Sequence, residues 1–343
     1  MGRVAVVLLN LGGPDSLASV RPFLVNLFDD PAILRLPRPI RWCLARLIAA
    51  RRAPVAREFY RYLGGSSPIL ANTKSQAEAL QQTLGPEIKV FIAMRYWHPL
   101  SDATAAAVKA WRPDRVILLP LYPQFSTTTT ASSAAAWHDA ARRAGLAVPT
   151  RLLCCYPTDP GFVAALTESL AQALAETSGP VRVLFSAHGL PERIVADGDP
   201  YPWQVEQSVA SVCAALGRQD LDHVICFQSR VGPLAWLKPA TPDEIRRAGT
   251  DGVALMVVPI AFVSEHSETL VELDRDYANL ARASGVTSYR RLPTVGIHPR
   301  FIGGLAELIR RLAEAGPAIE SGAGGRLCPA GFTGCALGGA APA

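Results

Sequence analysis

The 343-residue chain has no run of 18 consecutive apolar residues, which is the length a membrane-spanning helix requires, so no transmembrane segment is expected. It contains neither G-x-G-x-x-G nor G-x-x-x-x-G-K-[S/T], so no dinucleotide site and no ATP phosphate loop is signalled. It lacks a Lys/Arg block with interleaved aromatics, and its net charge is only +5, which argues against nucleic acid as a partner. Seven cysteines is an odd number, unevenly spread through a chain of this length. That pattern does not suit a disulfide framework. The apolar run at 4–9 breaks at Asn10 and reaches Gly12-Gly13-Pro14-Asp15 before any long h-region. It reads as a first strand and not as a signal peptide, and the protein is expected in the cytosol.

What is present points to a globular α/β protein. Hydrophobic residues make up 49% and charged residues 18%, toward the apolar end of the soluble range. Short apolar runs at 4–11, 89–95, 116–121, 152–155, 181–185, 224–227, 253–260 and 288–295 suit buried strands. Helical patterns lie between them, for example at 76–84, 131–144, 162–176 and 205–216. Such alternation implies parallel sheets, and eight strands also raise the (β/α)₈ barrel. The several helical patterns between the first two strands, and the Thr177-Ser178-Gly179-Pro180 break, favour two doubly wound Rossmann-like domains of about four strands each, with a cleft between them. The boundaries read as 1–160, 161–317 and a Gly/Ala/Pro-rich extension at 318–343, irregular unless something ties it down.

Residues 17–84 read as an inserted helical region. Within 37–52, Ile40, Cys43, Leu44, Leu47 and Ile48 share one helical face, with Arg38, Arg41 and Arg52 off it. This suits a core-facing helix with a solvated basic side, or an apolar lip resting on anionic lipid. The Ser/Thr cluster at 126–133 precedes a helical pattern and suits a helix N-terminus. Cys43, Cys213 and Cys226 sit in apolar surroundings and are expected to be buried.

Two strand ends carry the chemistry. The run Val183-Leu184-Phe185 ends in Ser186-Ala187-His188-Gly189-Leu190-Pro191, and Pro259-Ile260-Ala261-Phe262-Val263 leads to Ser264-Glu265-His266-Ser267-Glu268. A histidine outside the carboxyl end of a parallel strand faces the usual ligand crevice and can exchange protons near neutral pH. After Ser264, the acids Glu265, Glu268, Glu272 and Asp276 are spaced along one helix face. They form an ordinary acidic surface, or a ladder of oxygens passing a divalent metal or protons toward His188 and His266.

Seven ordered motifs then resemble ferrochelatase. They are Leu9-Asn10-Leu11-Gly12-Gly13-Pro14, residues 60–69, Arg95-Tyr96-Trp97-His98-Pro99, residues 119–126, Ser186-Ala187-His188-Gly189-Leu190-Pro191, residues 228–237 and residues 262–274. The resemblance runs from about residue 4 to 310 and implies the class II chelatase-like fold. It also implies a lyase forming nitrogen–metal bonds, which inserts Fe²⁺ into protoporphyrin IX to give protoheme as the last step of heme biosynthesis. On this resemblance His188 and Glu268 are catalytic, and His188, Glu268 and Glu272 meet the metal. Leu11, Arg95, Tyr96, Trp236, Phe262 and His266 contact the porphyrin. Coproporphyrin ferrochelatase, a related cobalt chelatase and a non-catalytic tetrapyrrole or metal carrier are the alternatives. The implied partners are protoporphyrin IX and Fe²⁺, with peripheral contact at the inner face of the cytoplasmic membrane, as monomer or homodimer. No cofactor is required for the chemistry. Some relatives hold a [2Fe–2S] cluster on four thiolates. Here Cys328 and Cys335, with Cys154 and Cys155, are its candidate ligands, although Leu337 stands where a further cysteine completes the C-terminal pattern.

Overall fold

A computed structural model of the chain describes residues 2–338 except 219, 231, 233 and 315. The first stretch runs β1 (Val4–Asn10), α1 (Val20–Phe28), α2 (Arg38–Tyr62), α3 (Ile69–Leu84), β2 (Ile88–Met94), α4 (Ser101–Trp111), β3 (Arg115–Pro120), a π-helical turn (Thr127–Ala131) leading into α5 (Ser132–Ala144), and β4 (Thr150–Leu153). The second runs α6 (Pro160–Ala175), β5 (Val181–His188), α7 (Glu192–Ala196), α8 (Tyr201–Leu216), β6 (His223–Gln228), α9 (Thr241–Asp251) and β7 (Ala254–Pro259). A π-helical segment (Glu268–Tyr277) follows and continues into α10 (Ala278–Ala283), then β8 (Tyr289–Arg291), α11 (Pro299–Ala313) and β9 (Ile319–Glu320).

Two open parallel sheets form, not a barrel. One has the order β2-β1-β3-β4-β9 and the other β6-β5-β7-β8. In each, the first strand of the series is interior, next to one edge strand, and the chain visits one side of it and then the other. This reversal between β1 and β3, and again between β5 and β7, is the topological switch point outside which α/β proteins bind ligands. All seven residues of β1 are buried, as expected of a parallel strand covered on both faces. His188 is the last residue of β5, so the scaffold delivers it to the switch point of its sheet.

The described chain divides into a unit of residues 2–155 with 306–321, and a unit of 156–305 with 322–338. The division read from the sequence was contiguous, whereas these units are not. The return of 306–321 to the first unit rests on β9. Leu152 and Leu153 pair with Ile319 and Glu320, and the Glu320 carboxylate takes Arg151 Nη2 at 2.7 Å and Arg311 Nε at 2.7 Å. The last described residues are tied down inside the second unit. Gly334 N donates to Gly198 O at 3.0 Å, and Phe332 packs against Trp203 with ring centroids 5.9 Å apart.

Helix α2 settles which of its faces is inward. Ala45, Ala49 and Ala53 recur every four residues, are buried, and join Val20, Phe23, Leu24 and Phe28 of α1 in one cluster. Small side chains let two helices approach closely, so this stripe gains dense contact despite its modest apolar area. The other apolar face is thereby left outside. Ile40, Trp42 and Leu47 are exposed, and Ile40 and Leu47 with Pro39, Cys43 and Leu44 border a shallow apolar hollow of about 550 Å³. Cys43, expected to be buried, is exposed for the same reason; Cys213 is half-buried and Cys226 buried. No described helix is long and apolar enough to cross a membrane.

Candidate active site

In the second unit, the loop after β7 and the π-helical segment bring Glu268 up to the end of β5. His188 Nε2 lies 3.4 Å from Glu268 Oε1, and His266 Nε2 lies 3.5 Å from Glu268 Oε2. His188 Nδ1 is 2.6 Å from Gly189 O. Nδ1 must carry a hydrogen to meet that carbonyl, so Nε2 is the nitrogen free to gain or lose a proton. Burial by itself would push the His188 imidazole down. The Glu268 carboxylate, then the Gly189 carbonyl and Glu272, overcome it and lift its pKa to about 9. Burial would likewise raise the Glu268 carboxyl, but the charge and hydrogen bonds of His188 and His266 hold it well below the usual carboxylate range. At neutral pH the two therefore stand as imidazolium and carboxylate.

The acidic ladder is not the α-helical face that its spacing suggested. Residues Glu268–Tyr277 form a π-helix, whose wider i→i+5 turn is frequent at functional sites, and its acids have separate partners. Glu265, ahead of the helix, receives Arg291 Nη1 at 2.6 Å and Thr294 N at 2.9 Å. Asp276 lies 2.7 Å from Arg275. Glu272 is filled. Its Oε1 accepts from Ser229 N at 2.9 Å and Tyr277 Oη at 2.8 Å, and its Oε2 accepts from Gln228 Nε2 at 3.0 Å and from Ser229 Oγ. A carboxylate offers about four acceptor sites, so the expected metal-binding role for Glu272 meets a group whose lone pairs are already taken. Among the described residues, no group of three or more His, Cys, Asp or Glu side chains is arranged to hold a metal ion. His188, Glu268 and Glu272 are thus neighbours and not a ready-made metal cage.

Phe262 and Trp236 flank this corner. The Phe262 ring lies 5.0 Å from that of His266, whose Nδ1 meets Ser264 O at 3.0 Å. Trp236 bridges Pro191, and its Cε3 approaches Gly189 so closely that a Cβ there would stand 3.4 Å away. In the first unit, Leu11 follows β1, and Arg95 follows β2. Arg95 Nη2 lies 2.8 Å from the buried Asp30 carboxylate, and its Nε donates to Ser132 Oγ at 2.7 Å. Tyr96, expected to face a ligand, is 1% exposed in the core cluster of that unit. Its hydroxyl donates to Asp30 at 2.7 Å, so in this structure the ring packs in the core and holds the same carboxylate as Arg95.

The four candidate cluster cysteines fall into two pairs. Cys154 and Cys155 are buried in the first unit with sulfurs 3.7 Å apart. In the second unit Gln204 Nε2 donates to Cys328 Sγ at 3.0 Å. A hydrogen bond with Cys328, opposed by burial and helped by Arg326, pulls the Cys335 thiol below its ordinary value. A [2Fe–2S] cluster takes four thiolates. The described cysteines do not form a group of even three, so the four thiolates such a cluster needs are not assembled here.

The ferrochelatase family model matches residues 3–313. The chain belongs to the ferrochelatase family. Proteins named ferrochelatase from Phenylobacterium zucineum, Hyphomonas neptunium and Caulobacter vibrioides are 51%, 49% and 49% identical to it. Each alignment covers 97% of this chain, and 98%, 94% and 97% of the relative. Among solved structures, SirB from Bacillus subtilis with Fe³⁺ aligns at a TM-score of 0.55 and 13% identity, over 91% of this chain and 96% of that one. The sirohydrochlorin chelatase SirB in complex with cobalt, from Bacillus subtilis subspecies spizizenii, aligns at 0.53 and 12%, over 91% and 95%. At such identities the likeness is one of fold, and it places this ferrochelatase-family chain on a chelatase-like α/β architecture.

The ion pair gives a signed prediction. A histidine whose folded pKa is about 9, against about 6.5 unfolded, contributes stability that is full below 6.5 and lost as pH rises through 9. Glu268→Gln removes the charge that raises it and leaves burial to lower it. Thermal unfolding followed from pH 6 to 10 should therefore show the parent losing stability relative to Glu268→Gln across that window. Parallel curves for the two proteins would contradict the pairing.

Proposed function

We propose that this chain inserts Fe²⁺ into protoporphyrin IX, releasing two protons and forming protoheme. The observation that carries the proposal is the His188–Glu268 pair at the β5/β7 switch point of a chain that belongs to the ferrochelatase family over nearly its full length. Replacing two pyrrole N–H protons by a dication needs a proton acceptor at the ring and a negative charge to favour the arriving metal. His188 Nε2 is the acceptor, with its tautomer fixed by the Gly189 carbonyl. Glu268 supplies the charge. As imidazolium, His188 has no room for a second proton, so it acts only after shedding the one it holds. A nearby dication lowers the pKa of an imidazolium, so the approach of substrate Fe²⁺ favours that release. Binding the flat macrocycle in a bent form, which exposes nitrogen lone pairs, relieves part of the barrier through binding energy. Leu11, Trp236, Phe262 and His266 are assigned to porphyrin contact on their motifs. Arg95 offers a guanidinium of the kind that pairs with carboxylates. No nucleic acid is a partner in this reading.

The porphyrin is apolar and partitions into bilayers. We assign the exposed face of α2 to peripheral contact with an anionic membrane surface. Ile40 is 55% and Leu47 47% exposed, and the Arg46 guanidinium stacks 3.4 Å from the Trp42 ring centroid. Apolar side chains with arginines beside them suit the headgroup boundary.

Mixing the protein with Fe²⁺ or Zn²⁺ and protoporphyrin, without ATP, and following the porphyrin absorption bands tests the reaction. Turnover beyond one per protein is expected. His188→Ala should lower kcat by about 10²–10⁴-fold, the usual worth of a positioned acid–base group, while porphyrin fluorescence titration still reports binding. Stoichiometric binding without turnover in the parent would make the protein a carrier.

Burying a Leu or Ile side chain is worth about 1.5–3 kcal/mol. The double variant Ile40→Glu/Leu47→Glu should therefore co-sediment with phosphatidylglycerol-containing vesicles at least about tenfold less than the parent. It should keep its turnover of detergent-dispersed porphyrin. Equal co-sedimentation would remove α2 from the membrane contact.

A further inference from the structure

Gln228 closes β6 and is the register partner of His188. It is fully buried, and its polar atoms reach both sides of the ion pair. Its side-chain Oε1 accepts from Ser186 Oγ at 2.8 Å, two residues before His188 on the same strand. Its Nε2 donates to the Glu268 main-chain carbonyl at 3.0 Å and to Glu272 Oε2 at 3.0 Å. Its own main-chain carbonyl accepts from Gly189 N at 2.8 Å. That last approach is so close that a Cβ on Gly189 would stand 2.8 Å from the Gln228 oxygen, which explains a glycine directly after the histidine. The side-chain amide thus grips the strand before His188 and the helix that carries Glu268, while the main-chain carbonyl of the same residue holds Gly189, the residue after it.

We propose that Gln228 is a positioning residue that sets the separation of His188 and Glu268, with Glu272 as the brace behind it. This rests on the reading of His188 and Glu268 as the reacting pair. The chemistry of the position admits an amide and little else. It needs an acceptor toward the Ser186 hydroxyl and two donors toward a carbonyl and a carboxylate. A glutamate of the same shape would set lone pairs against the Glu268 carbonyl and a like charge against Glu272. A methionine would fill the volume and hold neither side. Glu272, saturated by Gln228, Ser229 and Tyr277, is the anchor that keeps the amide from rotating. It also holds Ser229, whose φ of +64° lies in the left-handed region, a conformation that costs a non-glycine residue energy and persists only where its surroundings fix it. The carboxylate that looks from sequence like the next rung of a metal ladder is, in this geometry, a structural brace.

A misplacement of about 1 Å in a reacting pair costs on the order of a hundredfold in rate. In the full chain, Gln228→Glu should lower kcat per folded molecule by about that factor, leaving the porphyrin KM and the fluorescence-titrated porphyrin affinity near those of the parent. Merely structural damage would lower the folded fraction and leave the kcat of the folded molecules intact. A crystal structure of Gln228→Met supplies a readout independent of activity, and it decides if Gln228→Glu fails to fold. The His188 Nε2 to Glu268 Oε1 separation should open beyond the 3.4 Å of the parent. An unchanged separation in Gln228→Met overturns the proposal, as does a Gln228→Glu kcat within about twofold of the parent. If the parent does not metallate porphyrin, the functional reading falls, while the separation measured in Gln228→Met still decides whether Gln228 positions the pair.

Discussion

The second unit is arranged around an imidazolium and a carboxylate facing each other in a corner where neither would choose to be charged alone. Desolvation works against both ions, and each persists because the other is 3.4 Å away. Such a pair is a poor source of net stability, since the cost of removing two charges from water is close to what their attraction returns. Its value is chemical. It stores a proton on the nitrogen that must later accept one, and it keeps a negative charge where a dication is to arrive. The strand end, the Gly189 carbonyl, the π-helix and the amide of Gln228 all serve to hold that geometry.

The two units apply one architecture to different ends. In each, the first strand of the series lies inside a parallel sheet, one place from its edge, and the order reverses beside it. In the second unit that strand ends in His188. In the first it ends in Asn10, whose side-chain Nδ2 donates to Thr73 Oγ1 at 3.0 Å and whose side-chain Oδ1 accepts from Leu11 N at 2.8 Å. An asparagine there fixes a turn and exchanges no proton. The switch point is thus a place that the fold provides, and the residue standing at it decides whether chemistry follows.

Much of this was legible because parallel strands are continuous apolar runs. All eight runs read from the sequence became strands, and His188 was visible as a titratable residue where such a run stops. The ninth strand was missed because two residues, one of them the buried Glu320, carry no apolar signal; an ion pair with Arg151 and Arg311 places it. A motif does not say which way the Tyr96 ring turns; the cluster with Phe23 and Ala49 does. On α2 the sequence shows two stripes, Ile40/Leu47 and Ala45/Ala49/Ala53. Hydrophobicity favours the first, but close helix packing buries the second. The acids at 268, 272 and 276 were spaced for an α-helix, and a π-helix is not announced by spacing. Gln228 was quoted only as part of a motif, since an amide at a strand end has no periodicity to mark it. Its role follows from four partners lying far from it in sequence or on other elements.

The measurement that bears most directly on this picture is the protonation of His188 itself, followed by ¹⁵N NMR of the imidazole nitrogens in the metal-free protein as pH is raised. The account predicts an imidazolium at pH 7, with Nε2 losing its proton at a midpoint of about 9. A neutral ring at pH 7, or a midpoint near the ordinary value of about 6.5, would contradict it.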